Sequence, residues 1–216
     1  MSATLLPLPG LPDVKPGDDL PQLITRGLET AGLTLQDGDV IAVAQKIVSK
    51  AEGRQVALDT VTPTAEAEAL AQETGKDPRL VTLILQESRS VVRKRAGQPG
   101  VIVVEHLRGW VHANAGIDQS NIEVGTGGAS ALLLPEDPDR SAAELRGALE
   151  APHGVRPAVL INDSFCPASP VGPYRIALRA PRLEARKDLP APADRPAPRL
   201  AVRLVSLAAD LAPPAA

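Results

Sequence analysis

The sequence contains few aromatic residues and almost no cysteine. Its 216 residues include one Trp, one Tyr and one Phe, and the single cysteine is Cys166. One cysteine excludes a disulfide within the chain and a zinc site built from several cysteines. The scarcity of aromatic side chains removes the stacking surfaces with which proteins hold single-stranded nucleic acid. The composition therefore argues against a disulfide-stabilised scaffold and against a nucleic-acid-binding module.

The sequence also lacks a charge excess and long apolar runs. Lys and Arg number 23 against 26 Asp and Glu, a balance that does not suit the phosphates of duplex DNA. No apolar run approaches the roughly 18 residues of a membrane span. Pro7 and Pro9 interrupt an N-terminus that has no basic segment. We therefore predict a cytoplasmic protein with no nucleic-acid partner and no membrane partner.

The residues that are present suit a core of aliphatic side chains. Apolar residues make up 44% of the chain, and helix and strand patterns alternate through its first 163 residues. Leu20, Ile24 and Leu28 recur at helical spacing, whereas 40–43, 101–104 and 159–161 have the pattern of buried strands. This alternation predicts an α/β (mixed α+β) fold.

Three further helices are predicted from their N-terminal signals. One begins with Thr62 as its cap, and a second begins at Asp77. A third is indicated by Ser141 with Glu144 three residues later, the spacing of a capping box.

The last part of the chain differs from the rest in composition. Twelve of the 22 prolines follow residue 150, and 189–198 has the composition of an extended connector. We predict a core over residues 1–164 and a proline-rich C-terminal segment over 165–216 that completes the fold.

The segment 45–54 is the first candidate for chemistry. It reads QKIVSKAEGR and follows a predicted strand, so its two lysines, hydroxyl and arginine are suited to a polyphosphate. No glycine-rich phosphate fingerprint surrounds it. A solvated charged turn therefore remains the alternative interpretation.

Two aspartates are the other candidates. Asp118 is a hard oxygen donor of the kind that Mg²⁺ or Mn²⁺ prefers, with Asn121 three residues later. The alternative is that Asp118 or Ser120 starts a helical turn. Asp163 is followed by the hydroxyl of Ser164 at the end of a predicted strand, a pairing that can hold a cation beside phosphates. A simple turn residue is the competing interpretation.

Other reactive side chains carry weaker signals. His112 is expected to be packed or hydrogen-bonded, and Cys166 has no cationic context that would activate it as a nucleophile. The sequence has no recognisable Ser, His and Asp signature.

Six ordered segments resemble the coenzyme F420:L-glutamate ligase family. The segment DGDV at 37–40 that leads into QKIVSKAEGR is the most specific of them. The others lie at 6–20, 76–81, 104–106, 113–121 and 133–139. The resemblance covers residues from about 5 to 164 and implies that family's fold, with mixed sheets and flanking helices.

The resemblance implies a nucleotide site and a metal site. The residues that it assigns to GTP are Leu11, Pro12, Asp13, Val14, Lys50 and Asn121. The residues that it assigns to Mg²⁺ or Mn²⁺ are Asp118, Asp163 and Ser164, with both aspartates in the catalytic centre. Ser164 stands where the family commonly has Thr and retains the hydroxyl.

The resemblance also implies a reaction and its partners. A carboxylate of F420-0 or a related substrate is phosphorylated by GTP, and the amine of L-glutamate attacks the acyl phosphate. A homodimer is expected. Two arginines and a tryptophan of the family are replaced by the sequence CPASPVG at 166–172. A non-catalytic paralogue that keeps the fold and nucleotide binding is therefore the alternative function.

Overall fold

The computed structural model describes residues 3–98, 100–119, 129–165, 174–179 and 202–207. The chain divides into two compact units. Unit 1 comprises Met1–Gly53, Pro135–Asp163 and Ala177–Ala216, and unit 2 comprises Arg54–Leu134 and Ser164–Ile176. The predicted core over 1–164 and C-terminal segment over 165–216 stay a prediction, since most of the latter lies outside the described residues.

Helices and strands alternate along the described chain, which confirms the mixed α+β class. The strands are β1 (Ala3–Pro7), β2 (Val40–Ala44), β3 (Gln55–Ala57), β4 (Ser88–Arg95), β5 (Val101–His106), β6 (Val111–Ala113), β7 (Ser130–Leu132), β8 (Ala158–Phe165), β9 (Tyr174–Arg179) and β10 (Val202–Leu207). The helices are α1 (Leu20–Thr30), α2 (Gln45–Ala51), α3 (Ala65–Thr74), α4 (Pro78–Gln86) and α5 (Pro138–His153). None of the described helices combines the length and the apolar character that a bilayer crossing needs.

Unit 1 is built on a sheet with parallel pairing across four of its strands. The strand order is β1, β10, β2, β8 and β9, and the pairs β1 with β10, β10 with β2, and β2 with β8 are parallel. Strand β2 reads VIAVA, and its first four residues are buried. Such a continuous apolar run is typical of a parallel strand that is covered on both faces. The apolar faces of α1 and α5 complete the same core, which includes Ile24 and Leu149.

Unit 2 is built from small antiparallel sheets. Strand β3 pairs with β7, and a separate sheet has the order β4, β5 and β6. In β5 every second residue is buried, so Ile102, Val104 and His106 face the core. This alternation is expected for a strand with one face on the core and one face toward solvent. Helices α3 and α4 supply the rest of the core, with Leu70 and Ile84 among its members.

The helix starts confirm two predictions and correct two others. Helices α1 and α4 are present as predicted, with Asp19 and Asp77 as N-caps. The cap of α3 is Thr64 and not Thr62, because the Thr64 hydroxyl accepts the backbone N–H of Ala67.

The predicted start of α5 was also wrong. The helix begins at Pro138, where Asp137 accepts the backbone N–H groups of Asp139 and Arg140. Ser141 lies inside the first turn, and its hydroxyl donates to the Asp137 carbonyl oxygen. Proline has no N–H to lose at the first helical position, so the Asp137–Pro138 pair outcompetes the capping box as a start signal.

Candidate functional site

Residues 45–51 of the segment 45–54 form helix α2, so the charged-turn alternative was wrong for most of it. Ile47 and Val48 pack into the core of unit 1, and the buried Gln45 side chain donates to the Ser49 hydroxyl at 2.6 Å. Lys46 and Lys50 are half-buried and four residues apart. Side chains at this spacing share one helix face. Helix α2 therefore presents two ammonium groups on one face while the opposite face is packed.

The segment 11–14 is held at both of its ends. Leu11 and Val14 pack against the core of unit 1, whereas Pro12 and Asp13 are exposed. Three residues further on, the Gly17 backbone N–H donates to the Ala51 carbonyl oxygen at 2.8 Å. The loop that follows β1 is thereby connected to the last turn of α2, which contains Lys50.

Asp163 lies inside a strand, so its interpretation as a simple turn residue was wrong. Strand β8 runs through Phe165, and Asn162 pairs with Ala44, the residue that precedes α2. Asp163 is half-buried. The backbone of Ser164 continues β8, but its side chain lies outside what the structure describes.

The loop 11–14, helix α2 and Asp163 lie at the edge of the sheet where its parallel strands end. Strands β1, β2 and β8 share one direction, so the 11–14 loop and helix α2 follow strand ends at the same edge. Asp163 lies within β8, one residue beyond Asn162, which pairs with the last residue of β2. In open parallel sheets this edge is where ligands bind. Unit 1 therefore brings Leu11, Val14, Lys50 and Asp163 to the edge at which a binding crevice is expected.

A groove elsewhere in unit 1 is unsuited to phosphates. It has a volume of about 310 Å³ and lies where α1, α2 and α5 meet. Four of its lining residues are acidic, namely Asp18, Asp19, Glu52 and Glu144. Three of these have structural roles, because Asp18 accepts the Lys15 backbone N–H, Asp19 caps α1, and Glu52 accepts the Glu136 backbone N–H.

Asp118 lies in unit 2 and is held by a strand-like contact. Its backbone forms an isolated antiparallel bridge with Leu132. The distance from Asp118 N to Leu132 O is 3.0 Å, and that from Leu132 N to Asp118 O is 2.8 Å. Asp118 is half-buried and does not start a helical turn, so the alternative was wrong for this residue, and for Ser120 it stays a prediction. Asn121 and Ser120 lie outside the described residues.

A strained turn precedes Asp118. In the single-turn 3₁₀ helix Asn114–Gly116, φ is 51° at Asn114, 54° at Ala115 and 72° at Gly116. The left-handed conformation costs about 1 kcal/mol for a non-glycine residue. The Asn114 amide oxygen is shielded from solvent and has no hydrogen-bond partner among the described residues.

The donor set of the predicted metal site suits a hard cation. Carboxylate oxygens from Asp118 and Asp163 and a hydroxyl from Ser164 match the oxygen ligands that Mg²⁺ and Mn²⁺ prefer. The two aspartates belong to different units, and their convergence on one cation stays a prediction. Within the described ranges, no cluster of three or more His, Cys, Asp and Glu side chains has metal-binding geometry.

A polar network in unit 2 was missed by the sequence analysis. Arg54 donates to the Leu134 carbonyl oxygen at 2.9 Å and to Glu87 Oε1 at 3.2 Å. His106 Nε2 lies 3.6 Å from Glu87 Oε2, and the His106 ring stacks on Trp110. His106 is buried, and Glu87 and Arg54 are mostly buried.

This network favours the charged form of Glu87. The contact with His106 and, to a smaller extent, the Arg54 guanidinium lower the pKa of the Glu87 carboxyl, although burial opposes the shift. The His106 Nδ1 atom accepts the Arg108 backbone N–H at 3.1 Å, so in a neutral ring the proton lies on Nε2, toward Glu87. No local motif could have identified this network, because its members lie on separate elements.

His112 is packed, as predicted. It is buried in unit 2, and its Nδ1 atom lies 3.0 Å from the Ala113 carbonyl oxygen. Cys166 and the 166–172 segment lie outside the described residues.

Comparison with known proteins gives consistent matches over most of the chain. The profile of the F420-0:gamma-glutamyl ligase family matches residues 10–213. A coenzyme F420:L-glutamate ligase of Methanopyrus kandleri is 46% identical over 158 residues, which are 73% of this chain and 58% of that protein. A ligase of the same name from Methanothermobacter thermautotrophicus is 43% identical, over 76% of this chain and 62% of that protein.

The match to a haloarchaeal relative is longer. A coenzyme F420:L-glutamate ligase of Halobacterium salinarum is 39% identical over 209 residues, which are 94% of this chain and 76% of that protein. The chain thus spans about three fifths of the length of the two methanogen relatives and about three quarters of the haloarchaeal one.

Proposed function

This chain belongs to the F420-0:gamma-glutamyl ligase family, and we propose that it joins L-glutamate to a carboxylate of F420-0 or a related substrate. Its relatives carry the name of this activity. The observation that carries the proposal is the arrangement in unit 1. Two segments that the family resemblance assigns to the nucleotide, the loop 11–14 and helix α2, follow strands that end at one edge of a parallel sheet, and Asp163 lies in β8 near the same edge.

The proposed energy source is GTP. Lys50 and Lys46 lie on one face of α2 and supply positive charge for phosphate oxygens. The loop 11–14 is proposed to contact the nucleotide through its exposed centre, since Leu11 and Val14 hold its ends in the core. Asn121 is proposed to contact the same nucleotide.

The proposed metal site uses oxygen donors only. Asp118, Asp163 and Ser164 would hold Mg²⁺ or Mn²⁺, which when bound would neutralise phosphate charge during transfer. The half-buried positions of both aspartates favour this role, because a carboxylate attracts a cation more strongly where water is partly excluded.

The proposed reaction has two steps. A substrate carboxylate oxygen attacks the γ-phosphorus of GTP, which forms an acyl phosphate and releases GDP. The amine of L-glutamate then attacks the acyl carbon, phosphate leaves, and the amine loses a proton as the amide forms. The protein contributes position and charge in both steps, and needs no nucleophile of its own.

We propose that the protein acts in the cytoplasm as a homodimer, and strand β4 supports the dimer. This strand is an edge of its sheet, and Val91 and Val92 are 37% and 56% exposed. The adjacent groove of about 470 Å³ is lined by acidic residues of α3 and by Arg93 and Lys94 of β4. A surface with both charges suits a two-fold contact in which each copy offers the same patch.

The dimer can be tested by light scattering. We expect Val92→Lys to shift the mass from dimer toward monomer. Leu107→Lys is the matched control, because Leu107 is 47% exposed in the same unit and lies outside β4. A monomeric parent protein would refute the dimer proposal.

The ligase activity can be tested by phosphate release. The full chain is incubated with GTP, Mn²⁺, L-glutamate and F420-0, and we expect release that depends on all four. Lys50→Gln should raise the KM for GTP, and Asp163→Asn should abolish turnover. Arg26→Gln is the control, because Arg26 is exposed on α1 and its side chain donates to Gln22 of the same helix.

Two results would contradict the proposal in different ways. GTP binding without phosphate release, in the presence of every substrate, would favour the non-catalytic paralogue. Full turnover by Asp163→Asn would refute the metal assignment and leave the family membership unchanged.

A further inference from the structure

The left-handed turn Asn114–Gly116 lies between two antiparallel pairs of residues. On its N-terminal side Ala113 pairs with Val103, and on its C-terminal side Asp118 pairs with Leu132. Only four residues separate Ala113 from Asp118, so the turn can change little without breaking one of these pairs. Ala115 is completely buried, which limits movement in the middle of the turn.

Gly116 is fixed against a core side chain. A Cβ atom at this position would lie 2.7 Å from Leu134 Cδ1 and 2.8 Å from Leu134 Cγ. Leu134 is 1% exposed and cannot turn away into solvent. A residue with a side chain would therefore have to move the backbone two positions before Asp118, and its φ of 72° would be unfavourable as well.

We propose that Gly116 is a positioning residue for the Asp118 carboxylate. The strained backbone of the turn determines the position of Asp118. The close contact between Gly116 and Leu134 holds the turn in this conformation. Strain of this kind persists only where the surrounding structure over-determines it, and it concentrates at functional sites. This inference rests on the proposed function, because it assumes that Asp118 holds a divalent cation.

The test measures Mn²⁺ binding to the full chain by electron paramagnetic resonance of free Mn²⁺, with no nucleotide or substrate present. We expect Gly116→Ala to weaken Mn²⁺ binding about tenfold, a loss typical of displaced support around metal ligands. Gly109→Ala is the matched control. It also has a positive φ, 90°, but a Cβ atom there meets nothing within 4 Å. It should bind within about twofold of the parent protein.

Two further variants, Leu134→Ala and the double variant Gly116→Ala/Leu134→Ala, test whether the effect of Gly116→Ala comes from its collision with Leu134 or from loss of folding. Leu134→Ala removes all three carbon atoms that Gly116→Ala would meet. The double variant should therefore bind Mn²⁺ more tightly than Gly116→Ala alone. It should still bind more weakly than Leu134→Ala alone, because the positive φ remains. Circular dichroism tests whether each variant is folded. If Gly116→Ala is unfolded, Mn²⁺ binding by the double variant is compared with that by Leu134→Ala, and weaker binding by the double variant supports the positioning role.

The outcomes distinguish this inference from the proposed function. Binding by Gly116→Ala that equals the parent protein, together with loss in Asp118→Asn, would overturn the positioning role alone. Equal binding by Leu134→Ala and the double variant would also overturn it if the single Gly116→Ala variant is unfolded. Mn²⁺ binding that is unaffected by Asp118→Asn would overturn the metal assignment of the proposed function, and the positioning role with it.

Discussion

Unit 1 and unit 2 place their candidate residues by different means. In unit 1 the loop 11–14 and helix α2 follow the ends of parallel strands, and Asp163 lies near the end of a third, so a general property of parallel sheets brings them to one edge. In unit 2 no such rule applies, and Asp118 is placed by a strained turn and a contact with Leu134. The first arrangement tolerates local changes, whereas the second depends on individual atoms.

The largest expected effect tests how closely the backbone of unit 2 is packed. A Cβ atom on Gly100 would collide with the Thr74 carbonyl oxygen and lie 2.6 Å from that of Arg95. Because neither oxygen can move independently of the backbone, Gly100→Ala should destabilise the protein by about 3 kcal/mol in urea unfolding. Parent-like stability would show that the backbone around Gly100 can move to accept a side chain.

The next effect tests the polar network of unit 2. Glu87→Gln should lower the free energy of unfolding by about 2 kcal/mol, because Arg54 loses a charged partner. Glu105→Gln is the control. Its carboxylate is 38% exposed beside Arg89, and its loss should cost less than about 0.5 kcal/mol.

The same network predicts a pH dependence. The folded pKa of Glu87 lies below its usual value of 4.5, so its charged form stabilises the protein above that pH. This contribution is lost as the pH falls through the lowered folded pKa. Urea unfolding between pH 7 and pH 3 should therefore show a smaller decline for Glu87→Gln than for the parent protein. If the free energy of unfolding declined equally with pH in both proteins, a lowered pKa of Glu87 would be refuted.

A smaller effect tests the start of α3. Thr64→Ala should cost about 1 kcal/mol, because the first turn loses the acceptor for the Ala67 N–H. Thr62→Ala lies two residues earlier and should change the stability by less than about 0.5 kcal/mol. If thermal unfolding showed a larger loss of stability for Thr62→Ala than for Thr64→Ala, Thr62 would be the cap.

The smallest effect has the opposite sign and belongs to unit 1. Gly147 lies in α5, and a Cβ atom there meets nothing within 4 Å. Gly147→Ala should stabilise the protein by about 0.5 to 1 kcal/mol, because alanine restricts the unfolded chain and favours the helix. A decrease in the melting temperature would contradict the open surface of α5 at this position.

Much of the fold was predictable because its signals are local. The spacing of Leu20, Ile24 and Leu28 identified α1, and the Asp77–Pro78 pair identified the start of α4. The helical character of 45–51 was missed, because its lysines and hydroxyl suggested a turn and only packing of Ile47 and Val48 decides for a helix. The start of α5 was misplaced because two local signals lay close together.

The candidate site was predictable only in part. The resemblance named Asp118 and Asp163, but no property of a linear sequence indicates the left-handed turn or the contact of Gly116 with Leu134. The pairing of Glu87 with Arg54 and His106 was equally hidden, since such pairs depend on which elements meet.

The amino-acid order alone determined the mixed α+β class, some of the helices and strands, the family and the residue types available for chemistry, because periodicity, caps and motifs act over a few neighbouring residues. The tertiary structure decided which strand ends share an edge, where backbone strain is held, and which buried charges compensate one another. These depend on contacts between residues far apart in the chain, and such contacts exist only once the core has formed.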